Sequence, residues 1–313
     1  MAWPNNPRKT MKNAIALLLG AVLLSAGFAQ AADKPLIRIG ARVFTEQTVL
    51  AEITAQYLRA NGFEVRVTGG LGSSLARQAQ ETGQLDLMWE YTGVSLVSYN
   101  HVEERMPSAA ATYARVKALD AEKGLVWLKP SKFSNTYALA LPSEVAKAYP
   151  QVNTISQLNQ VLMDEQARKH VVALDTEFAN RPDGLDGLQA RYGMHLERAN
   201  IRQMDAGLVY TALRNAQVFA GLVYTTDGRL NAFKLKLLED DKHYFPDYTA
   251  GPVVRKAVLD AHPQLASLLA PLAEQLDDET MRQLNAKVDV QHQSPSSVAA
   301  AFLREHPLKE VTP

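Results

Sequence analysis

Apolar and polar positions in the first third of the chain follow two periods. Residues 37–42 alternate as a strand does, and the apolar positions from 49 to 58 recur at helical spacing after Thr45, a residue suited to cap a helix. The pattern predicts strand 37–42, a helix from 45 to the Asn61-Gly62 pair, strand 63–68, helix 73–82 and strand 85–89. Strands that alternate with helices in this order are typical of a wound parallel sheet.

The same order of elements recurs in the second half of the chain. The pattern there predicts strand 171–174, helix 184–192, strand 199–202, helix 206–215 and strand 218–224. An extended apolar segment, 135–142, precedes this unit, and an irregular segment, 240–255, follows it before amphipathic helices from Pro263 onward. We therefore predict an α/β protein of two lobes, each a wound and mostly parallel sheet flanked by helices. Lobe 1 is predicted to comprise 32–138 plus 249–313, and lobe 2 to comprise 139–248.

The N-terminal residues have the pattern of an export signal. Three basic residues precede the uncharged apolar run 14–26, and Ala29-Gln30-Ala31 supplies a small-x-small cleavage pattern. Met11 is an alternative start, because a complete signal follows it. A transmembrane anchor is the other interpretation, but the run is short for a bilayer span. We expect residues 1–31 to be a signal peptide cleaved near Ala31, and the mature chain to be a periplasmic protein.

Composition and motifs exclude several classes of function. The chain has 33 Lys and Arg against 33 Asp and Glu, which argues against nucleic acid or an anionic membrane surface as the partner. It has no cysteine, so neither a disulfide framework nor a lipid-modified cysteine is expected. The seven histidines lack metal-binding spacing, and no nucleophile elbow or dinucleotide fingerprint is present. No metal, no cofactor and no catalytic residue is predicted.

Four tyrosines are predicted to meet where the two lobes face each other. Tyr91 and Tyr224 end strands, and ligands of wound sheets bind beyond the carboxyl ends of strands. Tyr137 and Tyr248 lie on the segments that cross between the lobes. Tyrosine faces attract cations, so several rings around one site favour a quaternary ammonium group. Ordinary packing is the alternative role for these rings.

A zwitterionic ligand would also need a cation for its carboxylate. Arg42, at the end of the first strand, and Arg181, in "FANRPDG", are the candidates, because a guanidinium group binds a carboxylate through two parallel hydrogen bonds.

Ordered sequence blocks across nearly the whole mature chain resemble one protein family. The blocks are "GARVFTEQTVLAEI" (40–53), "DLMWEYTG" (86–93), "NTYALAL" (135–141), "FANRPDGLDGLQARYG" (178–193), "YTTDGRL" (224–230), "DDKHYFPDYTAGPVVR" (240–255) and "MRQLNAKVDV" (281–290). They are similar to the periplasmic glycine betaine, choline and proline-betaine binding proteins of osmoprotectant ABC importers, in the OpuBC/OsmF (YehZ)-like branch.

The resemblance implies a type II-like solute-binding fold and a tyrosine cage for a trimethylammonium group. Carried over motif by motif, the cage falls on the four tyrosines above, and the carboxylate side falls on Arg42 and Arg181. Arg42 stands where a lysine is common, and Val94 stands where some members have threonine. Asn135, also expected to contact the ligand, stands where some members have aspartate, so a negative charge near the cation is absent there.

The implied function is that of the substrate-binding component of an ABC importer. The expected ligand is glycine betaine, the expected partners are the transmembrane subunits of the permease, and the expected state is a monomer without enzymatic activity. Choline, carnitine or another small cation is the alternative ligand. A secreted enzyme acting on a quaternary amine and a ligand-sensing domain are the more distant alternatives.

Overall fold

The computed structural model describes Met1 and residues 34–102, 104, 106–164, 169–180 and 184–308. The predicted signal peptide, 1–31, therefore lies outside the described residues except for Met1. No described helix combines the length and the apolar composition that crossing a membrane requires. The described strands are β1 (Leu36–Arg42), β2 (Glu64–Leu71), β3 (Leu87–Tyr91), β4 (Leu125–Trp127), β5 (Tyr137–Leu141), β6 (Val172–Asp175), β7 (Ile201–Met204), β8 (Ala220–Tyr224), β9 (Lys236–Leu237) and β10 (Ala250–Arg255).

Helices connect these strands and cover both sheets. The described α-helices are α1 (Thr45–Ala60), α2 (Ser73–Glu81), α3 (Ala109–Ala121), α4 (Ser143–Ala148), α5 (Ile155–Leu162), α6 (Thr176–Asn180), α7 (Leu185–Tyr192), α8 (Ala206–Arg214), α9 (Arg229–Ala232), α10 (Lys256–Ala261), α11 (Gln264–Glu274), α12 (Asp278–Asp289) and α13 (Pro295–Glu305). A π-helix, Val94–Tyr99, follows β3, and a 3-10 turn, Arg198–Asn200, precedes β7.

The strands form two five-stranded sheets of the same design. Their orders are β2-β1-β3-β10-β4 and β7-β6-β8-β5-β9. In each sheet, three strands joined by helical crossovers are parallel, and one strand, β10 or β5, runs antiparallel to both of its neighbours. The predicted α/β class with two wound, mostly parallel sheets is confirmed. The residue bounds of the two lobes stay a prediction, and "first lobe" and "second lobe" here mean each sheet with the helices packed on it.

Each sheet is held by its own apolar core. In the first lobe, Val49, Leu50 and Ile53 of α1 pack with Ile37 and Ile39 of β1, and all five side chains are fully buried. Leu139, Leu174 and Leu222 fill the corresponding core on one face of the second sheet. The helical spacing seen in the sequence arises because these positions face the sheet.

Two local features differ from the sequence-based expectation. Thr45 does not cap α1: Phe44 is the N-cap residue, and the Thr45 hydroxyl instead donates to Asp289 Oδ1 at 2.6 Å. Residues 240–255 were predicted to be irregular, but Ala250–Arg255 form strand β10, which contains Pro252. The proline is accommodated opposite Trp89 of β3, and its carbonyl accepts the backbone N–H of Leu128 at 3.0 Å.

A buried carboxylate fixes the segment that follows β3. Asp120 is fully buried and accepts hydrogen bonds from Arg77, from Ser95 Oγ at 2.7 Å and from Trp127 Nε1 at 2.7 Å. Although burial opposes ionisation, the hydrogen bonds from Arg77, Asn100 and Trp127 and the charge of Arg77 lower the pKa of Asp120. The π-helix carrying Ser95 is thereby tied to α2, α3 and β4, directly after the strand that ends at Tyr91.

Asp240, in the acidic run 239–241, orders the loop that follows it. Asp240 accepts the backbone N–H groups of Tyr244 at 2.8 Å and Phe245 at 2.7 Å, and its Oδ1 accepts the Tyr192 hydroxyl at 2.5 Å. These bonds shape the loop that leads to Tyr248, so the run has a structural role that the sequence alone did not show.

Candidate ligand-binding site

Three of the four predicted cage tyrosines come together. Tyr137 of β5 lies directly opposite Tyr224 of β8 in an antiparallel pair, and their ring centroids are 5.0 Å apart. Tyr248, on the segment that returns to the first sheet, meets the Tyr137 ring edge-on at 6.3 Å. The rings therefore belong to two strands of one sheet and to one crossing segment; Tyr137, predicted on a crossing segment, is instead the first residue of β5.

Two phenylalanines support this group. The Phe178 ring lies 5.1 Å from the Tyr137 ring, and the Phe245 ring lies 6.0 Å from both Tyr137 and Phe178. Both phenylalanines are buried. Sequence reasoning missed them, although they lie in the blocks "FANRPDG" and "HYFPD". Their packing fixes the orientation of the Tyr137 ring, which is the centre of the group.

Tyr91 reaches the site through its hydroxyl group. The residue is buried, and its hydroxyl donates to Glu46 Oε1 at 2.5 Å while it accepts from Gln47 Nε2 at 3.2 Å. Its ring packs against Phe44 at 6.2 Å and lies 5.0 Å from the Arg42 guanidinium. In this conformation a protein cation, Arg42, already occupies a position near the Tyr91 ring.

Arg42 has a partner inside the protein. Its Nη2 lies 2.5 Å from Glu90 Oε1, and both side chains are only 4% exposed. The same Glu90 oxygen accepts the backbone N–H of Tyr91 at 2.8 Å. In the structure, Arg42 is therefore paired with Glu90. That Arg42 also binds a ligand carboxylate stays a prediction. Arg181, the second candidate for that role, lies outside the described residues.

Glu46 is the polar centre of the site, and sequence reasoning missed it. The carboxylate is buried; Oε1 accepts from Tyr91 and from Asn135 Nδ2 at 3.0 Å, and Oε2 accepts from Asn285 Nδ2 at 3.2 Å. Burial raises the pKa of Glu46, and the hydrogen bonds, including one from Thr226, partly offset that rise. The available signal was an acidic residue in the first turn of the helix that directly follows β1.

A cavity of about 550 Å³ lies beside these residues, and both lobes line it. Phe44 and Glu46 line it from the first lobe, Tyr224 and Arg229 line it from the second, and Asn135 lines it from the crossing segment. Two further carboxylates, Asp227 and Asp289, complete its charged wall.

The charge balance of this wall favours a cation. Three carboxylates face one guanidinium group, and Arg229 is itself paired with Asp227, with Nη2 and Oδ2 2.6 Å apart. A cationic ligand is therefore attracted to the wall, whereas an anionic group meets like charge there.

A direct contact between the lobes borders the cavity. Asn285 Nδ2 of α12 donates to the Thr226 carbonyl of the second lobe at 2.9 Å, and Arg282 Nη1 donates to the Thr225 carbonyl at 2.9 Å. Gly228 packs so closely that a Cβ there would lie 2.2 Å from the backbone nitrogen of Ala286. Helix α12 therefore sets the distance between Glu46 in one lobe and Tyr224 in the other.

A second cavity of about 890 Å³ touches the same crossing segment. Ser134 and Thr136 line this cavity, whereas Asn135 between them lines the smaller one. The larger cavity also touches Phe245 and Pro246, but it contains neither Glu46 nor Tyr224. Of the predicted ligand residues that the structure describes, Tyr224 and Asn135 line the smaller cavity and none lines the larger one, whereas Tyr91, Tyr137, Tyr248 and Arg42 line neither.

Comparison with known proteins identifies the family. Residues 35–305 match the model of the substrate-binding domain of the ABC-type glycine betaine transport system. The chain belongs to this family. A glycine-betaine-binding protein of Pseudomonas aeruginosa is 57% identical over 290 residues, which cover 91% of this chain and 92% of that protein. The carnitine transport binding protein OpuCC of Listeria monocytogenes is 32% identical over 278 residues, which cover 88% of this chain and 88% of that protein.

A solved structure agrees with this assignment. Apo YehZ from Escherichia coli superposes with a TM-score of 0.74 at 30% identity and covers 87% of this chain and 99% of that one. The predicted family, the two-lobed fold and the function of a substrate-binding protein of an ABC glycine betaine transport system are confirmed. Proteins of this family serve transport rather than catalysis, bind small betaine-type ligands, work with permease subunits and are typically exported.

Within this family, the site residues of the present chain remain predictions. The structure brings Tyr137, Tyr224 and Tyr248 together and sets Asn135 beside the smaller cavity. It places the Tyr91 hydroxyl on Glu46 and the Arg42 guanidinium on Glu90. The assembled aromatic group and the buried carboxylate therefore provide the geometry on which a ligand assignment is based.

Proposed function

We propose that this chain is the periplasmic component that captures glycine betaine, or a related quaternary ammonium compound, for an ABC permease. Residues 1–31 would direct its export and be removed near Ala31, and the mature chain would act as a monomer. The ligand would lie in the cavity shared by the two lobes, with its methylated nitrogen against the tyrosine rings.

The observation that supports this proposal most strongly is the position of Tyr224. Its ring lies against Tyr137 and lines the same cavity as the carboxylate of Glu46. A trimethylammonium group has no N–H to donate, so aromatic faces and a nearby negative charge are the features that hold it. One cation–π contact stabilises such a group by about 0.5–1 kcal/mol when exposed and about 2 kcal/mol when desolvated.

Hinge closure would follow from contacts on both lobes. Glu46 belongs to the first lobe and Tyr224 to the second, so a ligand that touches both favours the closed arrangement by the difference between its affinities for the two states. The contact of α12 with residues 225–228 would then hold the lobes at the spacing that the ligand requires.

The experiment is a thermal-shift titration of the mature chain with glycine betaine. A ligand that binds only the folded state raises the melting temperature. Tyr224→Ala should abolish most of this shift, because roughly 2 kcal/mol corresponds to about a thirtyfold loss of affinity. Tyr224→Phe keeps the aromatic face and should retain most of the shift.

Tyr149→Ala is the matched control. Tyr149 is also an aromatic residue of the second lobe, but its ring packs on Phe219 at 5.1 Å and does not line the cavity. Each variant is compared with its own unliganded melting temperature, so a general loss of stability does not affect the comparison. An undiminished shift in Tyr224→Ala would show that the ring does not contact the ligand.

A further inference from the structure

One buried tyrosine contacts three residues in the wall of the 550 Å³ cavity. Tyr210 of α8 is 1% exposed and does not line the cavity itself. Its hydroxyl group accepts the backbone N–H of Tyr224 at 2.8 Å and also hydrogen-bonds Asp227. Its ring lies against the Arg229 guanidinium, whose carbon is 3.9 Å from the ring centroid. Three cavity-lining residues of the second lobe therefore share one buried partner.

The bond to Tyr224 takes the place of a strand partner. The Thr225 N–H donates to the Thr136 carbonyl at 3.0 Å, on the side of β5. Successive N–H groups of a strand point to opposite edges, so the Tyr224 N–H faces the other edge of β8. On that edge, the register of β8 with β6 ends at Gly221. The Tyr210 hydroxyl therefore supplies the acceptor that β6 does not, at the residue whose ring lines the cavity.

An ion pair holds Tyr210 in this position. Arg229 donates through Nε and Nη2 to Asp227 at 2.9 and 2.6 Å, while its guanidinium makes a cation–π contact with the Tyr210 ring. Burial and the Asp227 charge raise the pKa of Tyr210 well above its ordinary value, so the hydroxyl keeps its proton. The proton is donated to Asp227, which leaves a lone pair of the oxygen for the Tyr224 N–H.

From these contacts we infer that Tyr210 is a positioning residue: its hydroxyl group holds the end of β8 so that the Tyr224 ring faces the methylated nitrogen of the ligand. The inference rests on the proposed function, because Tyr210 acts on binding only if Tyr224 contacts the ligand. Without the hydroxyl group, the Tyr224 N–H loses its acceptor, which is costly where water is excluded. The strand end then shifts until the N–H meets another acceptor, and the ring shifts with it.

The test is a double-mutant cycle on glycine betaine affinity, measured by isothermal titration calorimetry on the mature chain. Tyr210→Phe keeps the ring beside Arg229 and removes only the hydroxyl group. It should weaken binding about three- to thirtyfold, because a whole desolvated cation–π contact corresponds to about thirtyfold. In the Tyr224→Ala background the same change should alter the affinity by less than about twofold, because no ring is left to position. A merely structural role would give the same loss in both backgrounds.

Tyr113→Phe controls for the loss of a buried tyrosine hydroxyl group. The Tyr113 hydroxyl donates to the Leu128 carbonyl at 2.6 Å, and Lys117 Nζ lies 5.9 Å from its ring centroid, but Tyr113 lines neither cavity. Its removal should leave glycine betaine binding unchanged. Urea unfolding shows whether each variant is folded before it is titrated.

Hydrogen exchange followed by NMR measures the bond itself without a ligand. The Tyr224 amide should exchange slowly in the wild-type chain, and it should exchange at least about tenfold faster in Tyr210→Phe, because its acceptor is gone. The wild-type measurement needs no variant, so it tests the inference even if Tyr210→Phe does not fold.

The outcomes separate the two proposals. If Tyr224→Ala weakens binding and Tyr210→Phe does not, the positioning role is overturned and the aromatic site still stands. Equal losses from Tyr210→Phe in both backgrounds, or a Tyr224 amide that exchanges freely in the wild-type chain, also overturn the positioning role. Failure of glycine betaine to bind, or an unchanged affinity in Tyr224→Ala, overturns the proposed site together with the inference.

Discussion

The buried Arg42–Glu90 pair offers a direct test of what Arg42 does. The two side chains are each 4% exposed, and Nη2 lies 2.5 Å from Oε1. Glu90→Gln removes the negative charge and keeps an oxygen that can accept the Tyr91 backbone N–H, which Glu90 accepts at 2.8 Å. The variant therefore isolates the charge and leaves the Arg42 guanidinium buried without a counter-ion.

Breaking a buried pair from one side costs about 3–5 kcal/mol, because an uncompensated charge remains in the interior. We expect Glu90→Gln to lower the free energy of unfolding by about that amount. The matched control is Glu64→Gln in the exposed Arg66–Glu64 pair, whose side chains are 69% and 51% exposed. Exposed pairs contribute about 0–1 kcal/mol, so the control should change little.

Urea unfolding followed by tryptophan fluorescence measures both variants, since Trp89 is buried directly beside Glu90. Adding Arg42→Met to Glu90→Gln should recover a large part of the loss, because no charge is then buried. If Glu90→Gln lowers the free energy of unfolding by less than about 1 kcal/mol, the argument that Glu90 neutralises a buried Arg42 charge is wrong. A double variant that folds well but no longer binds glycine betaine would instead support the carboxylate role predicted for Arg42.

Three further predictions concern the site and its supports. Burial raises the pKa of Glu46, so calorimetry should show the affinity for a quaternary ammonium ion falling as that carboxylate is protonated. As the pH falls through the same interval, the free energy of unfolding of the unliganded protein should rise, because the folded state binds the proton more tightly than the unfolded state does. Glu46→Gln should remove both pH dependences. Gly228→Val should weaken ligand binding by forcing the lobes apart, whereas Gly72→Ala, with open space around it, should not. Trp127→Phe loses the 2.7 Å bond to buried Asp120 and should cost about 1–3 kcal/mol in urea unfolding.

The sequence predicted the aromatic site better than the polar one. Periodicity placed Tyr224 at the end of a strand, whereas Tyr137, predicted on a crossing segment, lies in β5 and faces Tyr224 across an antiparallel pair. The partner of Arg42 could not be predicted, because Glu90 is 48 residues away. The two residues meet only because β1 and β3 are neighbours in the first sheet. Glu46 was missed for the same reason: its donors, Tyr91, Asn135, Thr226 and Asn285, come from four distant parts of the chain.

Strand β10 shows a different limit of sequence reasoning. A proline in a strand argues against a central position, since it removes a donor from the ladder. Pro252 nevertheless lies in β10, between β3 and β4, where its carbonyl still accepts a hydrogen bond. The pairing of β10 with β3 and β4 therefore outweighs the local preference of proline for positions outside a central strand.

Hydrophobic periodicity and block similarity were sufficient for the α/β class, the two wound sheets and the family, because each depends on residues close together in the chain. Tertiary structure alone decided which charges are neutralised. Asn285 and Asn135 are 150 positions apart in the numbering of the chain, yet both donate to Glu46. The chemistry of the cavity wall follows from that convergence, because a side chain's hydrogen-bonding capacity is fixed by its type but its partners are fixed by packing.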